Sequence, residues 1–573
     1  MPRTNQDWAE LGCQMMDARR FSEAIEYFRR LHVTNGHLAG DSPRDAMELL
    51  RAISESRPNW SAGQFSLGGT YEYLGDFEHA RLHLENALRI DPSKLAGVEA
   101  LRARMLFLEG KLPEAVDSAD RALAANPDSY VALLVRGQAC SKLYRTVESV
   151  ASLRRSIELL PDRSIHASVL FQMNYLEETT PEALYAAACR WNSLYSAPLA
   201  AQTQTHANSP DPDRRLKIGY VSPDLCQHPV MKFVPPLLER HDRSRFEVFV
   251  YAVGEKSDQL SEHVRGLVEN YTAIRGYREV AERVRRDGID ILVDLAGHTM
   301  GPELLAFALR PAPVQVSWIG YVGTTGMPEI DYFLGDQHIP CPGTEGCFSE
   351  TVVRLPRSLG CYRPFGEIPV TAPPCLETGY VSFGCFNNAK KVNRQVVKLW
   401  ASILHLAPNS KLLLKYHDSD VWQNALREWF QEDGIASERI LCEGPSSPED
   451  YLAAYNRIDI VLDPFPYNGG TTTLDALWMG VPVVTLAGRL AVQCVGASIL
   501  SGAGLADFVA RTPEQYLTTA LYLAAVVPKR PELRWDIRKS LMASPWMDET
   551  GVVREVENAY RDVWRTWCKS RNS

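Results

Sequence analysis

The sequence predicts two fold classes in one chain: an all-α repeat over its first third, then an α/β unit of two doubly wound parallel sheets. Three observations carry this. A period of 34 to 35 residues runs through the N-terminal part. From Leu216 onward, short apolar β-rich runs alternate with amphipathic helices. Behind the apolar run Ile458 to Leu462, a glycine-bearing turn opens a helix at Thr471 to Thr473. Strands apolar on both faces and joined by helices imply parallel sheets covered on both sides.

Bulk properties narrow the class. At 573 residues the chain has room for roughly three or four domain-sized units. Its 61 basic and 70 acidic residues give a net charge of −9, which argues against a general nucleic-acid binder. No apolar run approaches the ~18 residues of a membrane span. The opening MPRTNQDWAELG has no apolar signal core, so a cytoplasmic location is expected. The twelve cysteines lack CxxC pairs and read as reduced thiols rather than a disulfide scaffold or zinc site.

The period appears twice in one register. Ala46, Ala80, Ala115 and Ser149 share it with Pro58, Pro92, Pro127 and Pro161. The stretches GDFEHARLHLENALRIDP, GKLPEAVDSADRALAANP and YRTVESVASLRRSIELLP each run from a turn through a helix to a stop proline. Small residues at the Ala80 position let two helices approach closely. This pattern resembles tetratricopeptide repeats over about residues 8 to 180, with RRFSEAIEYFRRL as an irregular first unit. Such a solenoid buries helix faces on one another and leaves a groove for a protein partner. The polar text AAQTQTHANSPDPDRR places the domain boundary near 200 to 214.

Beyond it, KIGYVS, FEVFVYA, IDILVDL and VQVSWIG read as strands of a first domain, residues 215–375. VSFGCF, KLLLKY, RILCEG, IDIVLD and VPVVTL read as strands of a second, residues 376–548, and 549–573 as a final helix bracing the first half. Ligands of open α/β sheets sit at the carboxyl ends of strands, so residues placed there carry the chemistry.

In the second domain, free N–H groups and the positive end of the helix behind Gly469 and Gly470 suit a phosphate. Asp475, one turn after Thr471, can accept from ribose hydroxyls while the threonines face phosphates; the alternative is an ordinary Thr-capped helix. Lys390 and Lys391 follow the first strand of that domain beside Asn387 and Asn388. A lysine there can neutralise a departing diphosphate without a metal, or be half of a solvated pair. In the first domain His228 follows a strand in YVSPDLCQHPV and suits proton transfer or donation to a phosphate or hydroxyl oxygen; an idle solvated histidine is the alternative. His298 in DLAGHTMG is either a second such group or a packing residue. The loop Gly323, Thr324, Thr325 in GYVGTTGMP either cradles an acceptor or phosphate or merely turns the chain.

Together, YVSPDLCQHPV, DLAGHT, LRPAPVQVSWIGYVGTTGMPEIDY, FGCFNNAKKVNRQVVKLWASIL and FPYNGGTTTLDALWMGVPVVTLAG resemble glycosyltransferase family 41, the protein O-GlcNAc transferases and SPINDLY-type O-fucosyltransferases. The resemblance implies tetratricopeptide repeats joined to a GT-B unit of two Rossmann-like domains. It implies inverting, metal-independent transfer to Ser or Thr of proteins held by the repeats, with no cofactor beyond the nucleotide sugar. It further implies His228 at the reaction centre, Lys391 on the departing diphosphate, Thr471 and Thr472 on the phosphates, Asp475 on the ribose and Asn388 near the β-phosphate. Where animal members carry histidine before the double threonine, Gly470 stands here; where they carry histidine and arginine near the base, Tyr451 and Ala454 stand here. The resemblance implies UDP-GlcNAc as the first donor, and these departures from the animal members bring in GDP-fucose as the second. Two other readings are a non-catalytic scaffold sensing a nucleotide sugar, and an enzyme with a small glycan or lipid acceptor.

Overall fold

The computed structural model describes residues 11, 13–15, 43–57, 59–254, 258–299, 303–417 and 419–572. The unit RRFSEAIEYFRRL and Pro58 lie outside them. The chain divides into two compact units, 1–161 and 162–573.

In the first unit the helix pairs Ser61–Tyr73 with Phe77–Ile90, Leu95–Leu108 with Leu112–Ala125, and Tyr130–Lys142 with Thr146–Leu159 repeat one hairpin. Ala80, Ala115 and Ser149 are fully buried where the two helices of each pair touch. The opposing position is equally small. A Cβ on Gly68 would lie 3.2 Å from the Ala80 carbonyl, and one on Gly137 3.2 Å from the Ser149 carbonyl, while Ala103 takes that place in the middle pair with no exposure. The period is thus a packing rule: small against small lets the backbones meet.

The second unit holds two all-parallel sheets. The first has seven strands, β1 (Leu216–Ser222), β2 (Phe246–Val253), β3 (Asn270–Ile274), β4 (Ile291–Asp294), β5 (Val314–Trp318), β6 (Tyr332–Gly335) and β7 (Thr351–Arg354), in the order β3-β2-β1-β4-β5-β6-β7. The second has β8 (Ser382–Cys385), β9 (Lys411–Lys415), β10 (Ile440–Glu443), β11 (Ile460–Leu462), β12 (Val483–Leu486) and β13 (Val509–Ala510), in the order β10-β9-β8-β11-β12-β13. In each, the chain winds outward from the starting strand and returns to its other side. That creates a switch point between β1 and β4 and another between β8 and β11, where loops diverge and leave a crevice.

The boundary differs from the expected 200 to 214. Helices Arg163–Met173 and Pro181–Trp191 belong to the α/β unit. Asn174 Nδ2 donates to the Tyr321 hydroxyl at 3.3 Å, Tyr175 stacks on Tyr467 at 5.1 Å, and Trp191 meets the His298 ring edge-on at 5.0 Å. Aromatic burial on the sheet loops outweighs the helical pattern these residues share with the repeat. The polar segment after them is tied down as well: Arg214 and Asn208 hold Asp290, and the Asp211 and Pro212 carbonyls accept from Trp564 and Arg561. Both latter residues lie on the final helix, Glu549–Asn572, whose Glu557 accepts from His241 Nδ1 and from the Asp242 N–H of the first sheet's side. No helix among the described residues is long and apolar enough to cross a membrane.

Candidate active site

Because β8 and β11 are neighbours, the segments leaving their carboxyl ends meet. After β8 the chain makes the short helix Ala389–Lys391; after β11 it turns through Asp463 to Gly470 into the helix Thr471–Trp478. Asn387, fully enclosed, is the joint. Its Oδ1 accepts from Lys391 Nζ at 3.1 Å and from Thr472 Oγ1 at 2.9 Å. Lys391 Nζ also donates to the Asn468 carbonyl at 2.7 Å and lies 4.3 Å from the centre of the Tyr467 ring.

The turn is built around Asp463. Its Oδ1 accepts from the Gly469 N–H and its Oδ2 from Thr485 Oγ1, both at 2.7 Å. Gly469 tolerates no side chain, since a Cβ would come within 2.6 Å of Thr472 Oγ1, 2.7 Å of Thr473 Oγ1 and 2.8 Å of Asp463 Oδ1. Burial pulls the Lys391 ammonium down to about 8, opposed by the nearby Asp463 charge, and pushes the Asp463 carboxyl up to about 7. A half-buried ammonium stripped of water beside the opening N–H groups of a helix is poised for an anion.

Asp475 sits one turn on, as the spacing predicts, but its carboxylate is engaged. Oδ1 accepts from Lys232 Nζ and from the Tyr362 hydroxyl, each at 2.5 Å, and Oδ2 from the Tyr451 hydroxyl at 3.1 Å. Tyr451 also meets Tyr455 at 2.9 Å, and the Tyr455 hydroxyl donates to the Thr472 carbonyl. Lys232 comes from the loop after β1, so this buried network joins the two sheets' domains. Three of roughly four acceptor positions on the carboxylate are filled.

The remaining expected residues fare unevenly. Asn388 is exposed and caps Lys390 N–H through Oδ1 at 3.0 Å; its neighbour Asn387 takes the inward place. Thr471 and Gly470 open the helix as expected. His228, half-buried, caps the short helix Pro229–Lys232, its Nδ1 accepting from Val230 N–H at 3.3 Å. That bond leaves the proton of the neutral ring on Nε2, so this tautomer presents a donor.

At two places where the sequence left a choice between a site role and a packing or turn role, the contacts fit the second. His298 is enclosed between Trp191 and Tyr321, its Nε2 donates to the Thr325 carbonyl at 2.8 Å, and burial lowers it to about 4; it is a neutral packing residue. Thr324 and Thr325 do not cradle an anion: their hydroxyls and the Thr325 N–H all donate to Glu350. A carboxylate in that place repels phosphate. Gly323 beside them makes room for the Tyr321 ring, which a Cβ would approach to 2.9 Å. Residues missed in the sequence are Asn387 as the joint, Asn468, Lys232, Tyr362 and Tyr455. Lys232 had a signal, lying four residues after His228 in the same loop; Tyr362, in irregular chain, had none. No group of three His, Cys, Asp or Glu among the described residues is placed to hold a metal ion.

The sequence profile of glycosyl transferase family 41 matches residues 142–360 and 374–555. A probable UDP-N-acetylglucosamine–peptide N-acetylglucosaminyltransferase SPINDLY of Solanum lycopersicum is 38% identical over 423 residues, covering 72% of this chain and 45% of that protein. The similarly described SEC protein of Arabidopsis thaliana is 27% identical over 450 residues, 75% of this chain and 46% of that one. The chain thus spans less than half the length of these curated relatives. Among solved structures, a mutant of Thermobaculum terrenum O-GlcNAc transferase superposes over 100% of both chains with a TM-score of 0.71 and 31% identity.

Proposed function

Because the chain belongs to glycosyl transferase family 41, we propose that it is an inverting transferase moving a sugar from a nucleoside diphosphate to Ser or Thr hydroxyls of proteins, with UDP-GlcNAc as donor. The observation that carries this reading is the convergence of Lys391, Asn387, Thr472 and the start of helix Thr471–Trp478 at the β8/β11 switch point. A diphosphate leaving group needs positive charge as its bond to the sugar breaks. One ammonium about 4 Å from a phosphate oxygen supplies about 4 kcal/mol at an effective dielectric constant of ~20.

In this reading the acceptor hydroxyl attacks the anomeric carbon opposite the diphosphate. The new C–O bond forms as the old one breaks, the bonding pair leaves on the β-phosphate, and the hydroxyl proton passes to a base. Lys391 and the Thr471 and Thr472 N–H groups take the charge; Thr472 Oγ1, now bound to Asn387, can turn to a phosphate oxygen. The reading assigns no step to a metal. In the tautomer that its contact with the Val230 N–H favours, His228 Nε2–H can donate to a sugar or acceptor oxygen. Asp475 reaches a ribose hydroxyl through its one remaining acceptor position, with Tyr451 beside it. The repeats, read as a tetratricopeptide solenoid, hold the protein acceptor.

A second donor, GDP-fucose, is favoured by one feature: Gly470, Tyr451 and Ala454 stand where the animal O-GlcNAc transferases have histidine, histidine and arginine. The test is incubation of the chain with a proteome extract, EDTA and either donor, followed by peptide mass spectrometry. HexNAc on Ser or Thr from UDP-GlcNAc, absent with Lys391→Ala, is expected; fucose instead moves the donor assignment, and no sugar from either contradicts the reading.

A further inference from the structure

The first sheet carries a cavity of about 440 Å³ that the nucleotide site leaves unused. It opens at the carboxyl ends of β1, β2 and β3, whose last residues Ser222, Val253 and Ile274 line it. Its floor is apolar, with Leu225, Val253 and Ile274 buried. Tyr271, Arg265 and Arg275 line its polar side. Arg265 lies over the Tyr271 ring, its guanidinium carbon 5.0 Å from the ring centre. Its ion pair with Glu262, at 3.2 Å, is an exposed contact within one helix, which water screens and a ligand can displace.

The cavity wall is one hydrogen-bonded piece with the loop that carries His228. Ser261 Oγ, on the helix of Arg265, donates to the Leu225 carbonyl at 2.7 Å. Asp258, which caps that helix, accepts from the Gln227 N–H at 2.6 Å. Whatever fills the cavity therefore bears directly on the residues leading to His228.

We propose that this cavity binds an acidic side chain of the protein acceptor together with an apolar neighbour, and so selects which Ser or Thr is glycosylated. The proposal rests on the reading that the acceptor is a protein. Cavities of this size take small ligands or a few side-chain atoms. A planar guanidinium matches a carboxylate in two-pronged geometry. A chain of net charge −9 repels acidic peptides in general, so a local pair of arginines is what admits one at a defined place.

The test uses short synthetic peptides with a central Ser, in which Asp or Glu at each flanking position is compared with the isosteric Asn or Gln. The full chain should favour the acid at one or two positions by about tenfold in kcat/KM, mainly through KM. Arg265→Gln should bring that ratio close to one, and Arg265→Lys, which keeps the charge but not the fork, should fall between. Thermal melts of each variant report folding. No preference in the full chain, the same preference in Arg265→Gln, or stronger selection of phosphoserine than of Asp or Glu each overturns the proposal. Should no peptide be glycosylated, the transferase reading fails. Fluorescence anisotropy of labelled acid and amide peptides then reads the cavity alone: tighter acid binding lost in Arg265→Gln supports it, and equal binding overturns it.

Discussion

At Lys391 two demands pull against each other. In the proposed reaction the ammonium is charged to meet a diphosphate, yet its enclosure lowers it to about 8. The sign follows directly: below that value the free protein carries the cation, and above it the site is neutral. We expect kcat/KM to fall above about pH 8 with a slope approaching tenfold per pH unit, checked by a pH profile at limiting donor. Lys391→Ala should lower turnover by about a thousandfold without lowering the melting temperature, since it removes a desolvated charge. Gly469→Ala should cost about 1 to 3 kcal/mol in denaturant unfolding and weaken nucleotide binding, because its Cβ displaces the Thr472 and Thr473 hydroxyls. Lys391 and the glycine-threonine turn were legible in the sequence because strand, turn and helix start are local signals. Asn387 against Asn388 was not: which of two adjacent asparagines faces inward depends on the pleat at the end of β8. Thr324 and Thr325 misled for a related reason. Their text imitates the turn at Thr471, and the carboxylate that claims them, Glu350, lies 25 residues further on.

Among elements, the two switch points place the proposed chemistry, and the network on Asp475 joins them. The short helix ending at Lys232 follows β1, whereas the helix of Asp475 follows β11. Removing one partner of a buried pair leaves the other charge uncompensated. Lys232→Met should therefore destabilise the chain by about 3 to 5 kcal/mol, and adding Asp475→Asn should recover part of it, measured by urea unfolding. A donor site that needs both domains in register should weaken in the single variant as well. The sequence disclosed nine strands of the two sheets. The four it missed, β3, β6, β7 and β13, lie at or next to a sheet edge, and β3 and β7 are mostly half-buried or exposed, so they lack the continuous apolar run of a central strand.

For the whole molecule the repeat was legible because its period recurs, whereas the unit boundary was not. Residues 163–200 have a helical pattern, and only their partners Tyr321, His298 and Tyr467 assign them to the α/β unit. A chain beginning at Asp162 should fold cooperatively and bind nucleotide like the full chain, while losing glycosylation of proteins. One beginning at residue 201 should melt lower or aggregate, since it discards the buried Val169, Leu170, Met173 and Trp191, each worth about 1.5 to 3 kcal/mol of burial. Scanning calorimetry of the two distinguishes this boundary from the one the polar linker suggests.

The most direct test of the central claim, that the β8/β11 crevice is a nucleoside-diphosphate site, is isothermal calorimetry of UDP and GDP on the full chain with EDTA present. One-to-one binding of UDP, lost in Lys391→Ala and weaker at pH 9 than at pH 7, is the predicted result. Binding of either nucleotide that is undiminished in Lys391→Ala would place the site elsewhere and contradict the account.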